Sequence, residues 1–184
     1  VLGTVWRLVE GGQSDGLSSQ LEGAINVLEK IVAAAGSGEA LDVVGDLLVL
    51  RTEPTQEAPM LAVETTVSPG GGPPPHTHAA EELFLVREGR LAFLTGEPGV
   101  ECLAGPGDVV HVPGGRPHAY RNVGQALARV LVVFDDGLQI APFFRALGQP
   151  VDPETWQPLP PPPVETMLAT CHEHGVELVG PPPG

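Results

Sequence analysis

Glycine and proline cut this chain into pieces too short for long regular helices. Of 184 residues, 24 are Gly and 21 are Pro, a share that favours a turn-rich β protein. From Leu41 onward the pieces between these breaks are apolar and strand-like. They read L-D-V-V-G-D-L-L-V-L-R-T, M-L-A-V-E-T-T-V, the run from His76 to Arg87, L-A-F-L-T-G, V-E-C-L-A, D-V-V-H-V-P, H-A-Y-R-N-V and L-A-R-V-L-V-V-F. Polar breaks such as T-E-P-T-Q-E-A-P, Glu88-Gly89-Arg90 and Gly105-Pro106-Gly107 separate them. Short strands at about eight-to-twelve-residue spacing predict an all-β sandwich or barrel. The length suits one domain of ordinary size.

Different patterns flank this stretch. Residues 1–9 read as a short strand and 11–18 as a polar loop. Ser19 and Glu22 then form a capping box, and Leu21, Ala24, Ile25, Leu28, Ile31, Val32 and Ala35 recur at helical spacing before Gly36. This amphipathic helix could make a dimer contact or pack on its own barrel, and general experience favours packing. After Phe134, A-P-F-F-R-A-L-G reads as a short helix. P-L-P-P-P-P reads as an extended polyproline segment, a surface strap in preference to a ligand for a proline-binding module. V-E-T-M-L-A-T-C-H-E-H-G reads as a terminal helix ending at Gly175. The expected organisation is an N-terminal extension with its helix over 1–40, the barrel over 41–136, and a Pro-rich strap and helix packing on the barrel over 137–184.

Charge excludes some partners. The net charge is −14, and the only lysine is Lys30. Nucleic acid is therefore not an expected partner, because phosphate affinity comes from Lys and Arg. Anionic membrane surfaces are disfavoured on the same ground. No apolar run of transmembrane length occurs, and V-L-G-T-V-W-R-L-V-E lacks the pattern of a signal peptide. Two cysteines, Cys102 and Cys171, make no disulfide framework and read as packed thiols. The expected location is cytoplasmic.

Two segments carry the chemistry. The first is G-G-G-P-P-P-H-T-H-A-A-E-E-L-F-L-V-R-E-G, from Gly70 to Gly89. The second is G-D-V-V-H-V-P-G-G-R-P-H-A-Y-R-N, from Gly107 to Asn122. Together they supply His76, His78, Glu82 and His118, ligand types suited to first-row transition metals. His76 and His78 would point to one face of a strand, and Glu82 keeps their parity. His118 must come from another strand. Gly70 to Gly72 permit unusual backbone angles, and Pro73 to Pro75 stiffen the lead into the ligand strand. Asn122 reads as a structural hydrogen-bonder. Glu81 has the opposite parity and should face away, while the facing of His111 is open. His172 and His174 diverge on a helix and read as exposed. Parity also suggests a pocket lined by Phe84, Val86, Phe93, Tyr120 and Phe134, residues that would equally fill a small barrel's core.

The two segments fit G-x5-H-x-H-x3-E-x6-G and G-x5-P-x-G-x2-H-x3-N at every specified position, and in this they resemble the cupin superfamily. The resemblance covers about residues 60–135. More loosely, the tail resembles small, single-domain quercetin-dioxygenase-like cupins; residues 1–40 show no such likeness. It implies a jelly-roll β-barrel and a homodimer. It implies one divalent transition metal (Fe, Mn, Ni, Co, Cu or Zn) held by His76, His78, Glu82 and His118. Zinc with four protein ligands would be a closed structural site, whereas a six-coordinate ion leaves two positions open. The activity implied is a dioxygenase acting on a small enolic or aromatic, flavonol-like substrate, with Glu82 as ligand and general base. The alternatives are a non-catalytic small-molecule-binding or sensor cupin, and a metal-dependent isomerase or decarboxylase. Phosphomannose-isomerase-like chemistry is disfavoured by the position of Lys30. Oxalate-type chemistry would want a basic pocket residue, and the facing of Arg116 and Arg121 is open.

Overall fold

Apolar side chains at every second position make a strand that can bury one face. Leu61–Val67 and Ala128–Phe134 both alternate this way, with Leu61, Val63, Thr65 and Val67 buried on one and Ala128, Val130, Val132 and Phe134 on the other. The computed structural model describes residues 33–95 and 100–180. The chain divides into two compact units, Val1–Ser37 and Gly38–Gly184, and the second holds the fold set out below. The expected strand over 1–9 and the body of the helix after it lie outside the described residues.

In chain order the elements are β1 (Glu39–Val43), β2 (Asp46–Leu50), β3 (Leu61–Val67), β4 (His76–Thr77), β5 (Glu82–Glu88), β6 (Leu91–Thr95), β7 (Glu101–Ala104), β8 (Val109–Val112), β9 (His118–Asn122), β10 (Ala128–Phe134), α1 (Gly137–Leu147), β11 (Gln149–Pro150), α2 (Val164–Glu173) and β12 (Glu177–Leu178). They form two antiparallel sheets, β11-β1-β2-β3-β10-β5-β8 and β12-β4-β9-β6-β7. The inner faces meet in one core. Phe84 and Val86 of β5, Leu91 and Phe93 of β6 and Val130 of β10 are each at most 1% exposed, and each contributes roughly 1.5–3 kcal/mol by burial. This is the all-β jelly-roll architecture expected.

Three local details depart from the sequence reading. The run from Leu41 to Thr52 is a hairpin and not one strand, turning at Val44 (φ 56) and Gly45 (φ 89). Two successive left-handed residues make the tight turn that suits twisted strands, and Asp42 Oδ1 accepts the Gly45 N–H at 3.0 Å. The run from His76 to Arg87 is also broken. β4 ends at Thr77 in one sheet and β5 begins at Glu82 in the other. Finally, Cys102 is exposed on edge strand β7, while Cys171 is buried as expected.

The C-terminal segment is tied to β1 and β4. Asp136 caps α1 by accepting the Gln139 N–H, so the helix starts earlier than A-P-F-F-R-A-L-G suggested. Arg145 of α1 pairs with Glu39 and, through two nitrogens, with Glu53. Asp42 is 3% exposed, and its Oδ2 accepts the Trp156 Nε1–H at 2.7 Å and the Leu159 N–H at 3.0 Å. These two bonds tie the segment around Pro158 to β1. β12 then pairs with β4, Leu178 opposite His76, and the Val179 N–H donates to Pro75 O.

Candidate metal centre

A two-residue strand such as β4 has little stability of its own and is fixed by its neighbours. β9 holds one side of it, with His76 opposite His118, and β12 holds the other. The glycines before it are required by contact. A Cβ on Gly72 (φ +128) would collide with the Tyr120 carbonyl. Gly70 donates to Asn122 O, and Asn122 donates its own N–H to Gly71 O. The Asn122 side chain donates to Val67 O at 2.9 Å and Ala126 O at 2.8 Å, and accepts the Gly124 N–H. Asn122 is therefore a structural hydrogen-bonder, as its motif position suggested. In the second segment the Gly115 N–H donates to His78 O at 2.7 Å, and a Cβ on Gly114 would strike the Ala79 carbonyl. These contacts clamp the link between His78 and Glu82.

His76, His78, Glu82 and His118 come together. One ligand atom from each lies within 4.8 Å of all the others. The ring centroids of His76 and His118 are 4.3 Å apart, and those of His78 and His118 are 5.1 Å apart. The imidazoles are oriented by the backbone. His76 Nδ1–H donates to Pro74 O and His118 Nδ1–H to Arg116 O, both at 2.8 Å, which leaves each Nε2 lone pair free to bind. His78 Nε2 is 2.8 Å from Glu82 Oε1. His118 Nε2 is 3.5 Å from Glu82 Oε2 without making a hydrogen bond.

The donor set fits a transition metal. Two donors at right angles about 2.1 Å from one ion would be ~3 Å apart, close to the 2.8 and 3.5 Å separations here. His118 Nε2 and His78 Nδ1 are buried without hydrogen-bond partners, a cost that coordination of the His118 nitrogen would relieve. Charge is balanced accordingly. Burial, and then the neighbouring His118, push His76 down to about 4, so it is neutral at pH 7. Burial alone would raise Glu82, yet His118 and His78 outweigh it and bring the carboxyl to about 2.

The centre opens on a cavity of about 110 Å³. His76 and Glu82 reach its surface, and Phe84, Val132 and Phe134 wall it from the larger sheet. Tyr120 enters from the smaller one. The roof is the C-terminal segment: Phe143, Phe144 and Leu147 of α1, Met167 and Cys171 of α2, then Val176 and Leu178. Of the pocket residues expected from parity, Phe84, Tyr120 and Phe134 line this space. Val86 and Phe93 do not; Val86 lies further along β5, and Phe93 packs edge-on to Phe84 at 5.1 Å. Burial, then the negative charges of Asp46 and Glu82, push the Tyr120 phenol well up, so it stays protonated.

Other candidates lie apart. Glu81 faces outward and meets exposed His111 at 3.1 Å. His172 and His174 are at the end of α2, away from the four-residue cluster. Neither Arg116 nor Arg121 lines the cavity; Arg116 is exposed and Arg121 pairs with Glu101. The sequence reading missed Asp46, Thr65 and the helical roof. Asp46 shares the parity of Leu48 and Leu50 on β2, a usable sign that it faces inward.

Residues 63–134 match the family model for the cupin domain. This barrel is a cupin domain. Among solved structures, oxalate oxidase in complex with glycolate is 22% identical, over 51% of this chain and 52% of that one, with a TM-score of 0.44. The polyketide cyclase RemF from Streptomyces resistomycificus is 25% identical over 54% and 69%, with a TM-score of 0.43. An RmlC-like cupin from Shewanella frigidimarina is 18% identical over 55% and 86%, with a TM-score of 0.46. The chain spans about half the length of the oxalate oxidase chains it matches. No curated protein matches it. Among the described residues of this cupin, no helix is long and apolar enough to cross a membrane.

Proposed function

We propose that this cupin is a metal-dependent dioxygenase of a small enolic or aromatic molecule. One observation carries the reading: two of the four clustered residues, His76 and Glu82, also line a roofed and largely apolar cavity. His76, His78, Glu82 and His118 would hold the ion. A redox-capable first-row ion would supply the electron-transfer partner that ground-state dioxygen needs.

The chain's own residues then bind, orient and keep out water. Phe84, Phe134 and Val132 offer a face to an apolar ring. The Tyr120 phenol is a donor for an oxygen of the bound molecule. A carboxylate with a pKa of about 2 is a weak base at neutral pH, so Glu82 serves as an anchor before it serves as a base. The volume favours a compact molecule, since a cavity of ~150 Å³ holds a single benzene ring. A three-ring flavonol would need the roof displaced. Among the described residues no Lys or Arg lines the cavity, which weighs against oxalate-type dianions.

Oxygen uptake by the iron-, manganese-, nickel-, cobalt- or copper-loaded protein tests this, with catechols, enediols and small β-diketones beside flavonols. Turnover of a single-ring substrate that is lost in Glu82→Gln is expected. No oxygen consumption across the panel with any of these ions would sink the reading. The weak basicity of Glu82 favours, as the second reading, a binding cupin that holds the same ligand without converting it.

A further inference from the structure

The cavity has a second polar point, separate from the metal centre. Asp46 opens β2, and in the sheet β3 and β10 lie between it and β5, which carries Glu82. Asp46 is 6% exposed and lines the cavity. Oδ1 accepts the Ser68 N–H at 3.1 Å. Among the described residues no side chain donates to Asp46 and no cation pairs with it. The Gly72 backbone also acts on it, so a buried carboxyl here has backbone N–H donors only and no side-chain or cationic partner. Nearby walls are apolar, with Leu48 and Val43 beside it and the roof above. Among the described residues, the polar side chains on the cavity surface besides Asp46 and the clustered His76 and Glu82 are Thr65, Tyr120 and the thiol of Cys171.

We propose that Asp46 is the residue that selects the ligand's free end, accepting a hydrogen bond from a hydroxyl or amine opposite the metal-binding head. This rests on the reading of the cavity as the site of a small metal-chelating molecule. It narrows the substrate class to neutral or cationic molecules carrying a donor, and it disfavours those with a carboxylate tail. Burial, together with the like charge of Asp42, raises Asp46 to about 7. A donor on the ligand would add to the backbone donors of Ser68 and Gly72.

Three single-ring probes with the same chelating head test the proposal: methylcatechol, dihydroxybenzylamine and protocatechuate. Each is titrated calorimetrically into the zinc-loaded protein, so that oxygen chemistry plays no part. Dihydroxybenzylamine should bind wild type at least about tenfold more tightly than methylcatechol, as a charge-assisted hydrogen bond implies, and protocatechuate should bind most weakly. Asp46→Asn keeps the acceptor for Ser68 and presents an N–H in place of the second oxygen. In that variant the amine's advantage should vanish and protocatechuate should gain. Equal binding of the three by wild type, or an unchanged ranking in Asp46→Asn, would overturn the proposal while leaving the metal site intact. No binding of any probe would overturn it together with the reading on which it rests. The expected ranking on the zinc-loaded protein, with no oxygen uptake by the iron-, manganese-, nickel-, cobalt- or copper-loaded protein, would support the proposal and overturn only the dioxygenase reading.

Discussion

His78 Nε2 stands 2.8 Å from Glu82 Oε1 although the two are four positions apart in the chain. On one continuous strand such positions would be ~13 Å apart. They meet because the chain leaves the smaller sheet after Thr77 and joins the larger one at Glu82. The H-x-H-x3-E spacing therefore encodes a crossing between sheets, and it brings a buried imidazole within hydrogen-bond reach of a buried carboxylate.

Loss of a ligand should abolish metal binding. Protein purified without chelator should carry about one first-row ion per chain, as a four-donor cluster requires. His76→Ala and His118→Ala should each lower that content at least about tenfold. Elemental analysis of the purified variants checks this, and retention of the ion in both would refute the centre.

Removing His78 has a further cost in metal-free protein. Glu82 is 5% exposed on its side chain and would lose its shortest donor. Leaving a buried carboxylate short of a hydrogen-bond donor costs about 1–3 kcal/mol. His78→Ala should therefore lower the urea midpoint in the presence of chelator.

Asp46 should make stability fall as pH rises. Its carboxyl is raised from 3.8 to about 7 in the folded protein. Between those values the folded state holds a proton that the unfolded chain has lost. The contribution is fully present below the unfolded value and is lost as pH climbs through about 7. The swing is on the order of 4 kcal/mol. Urea midpoints at several pH values, with chelator, should show a shallower decline in Asp46→Asn than in wild type.

Gly114→Ala should loosen the centre without touching a ligand. The added methyl would strike the Ala79 carbonyl and push the link between His78 and Glu82. A cost of about 1–3 kcal/mol in stability is expected, with weaker zinc affinity. Thermal melts and a competitive zinc titration read the two effects.

Trp156→Phe should weaken the strap. Asp42 would keep its Leu159 donor but lose the indole N–H at 2.7 Å. A buried carboxylate deprived of one donor costs about 1–3 kcal/mol. The measurement is a urea titration followed by circular dichroism.

The four clustered residues were legible because their types and spacing leave few other readings. The strand-parity argument named His76, His78 and Glu82, though they sit on two sheets and not on one strand. Parity cannot register where a strand stops, because the break at His78–Glu81 contains no Gly or Pro. The Val44–Gly45 hairpin was hidden for a related reason: valine rarely takes a left-handed conformation, so only Gly45 marked a turn. The cavity roof was illegible. Which faces of α1 and α2 meet the barrel depends on long-range anchors, Asp42 to Trp156 and Arg145 to Glu39, that no local pattern announces.

The division of the ligands between sheets has a mechanical side. His76 and His118 belong to the smaller sheet and Glu82 to the larger. An ion bound to all of them would act as a rivet through both layers. The sheets could then not part before the ion let go. Ion release and separation of the layers would become one kinetic event, with exchange of the metal and of the most protected amides sharing a clock.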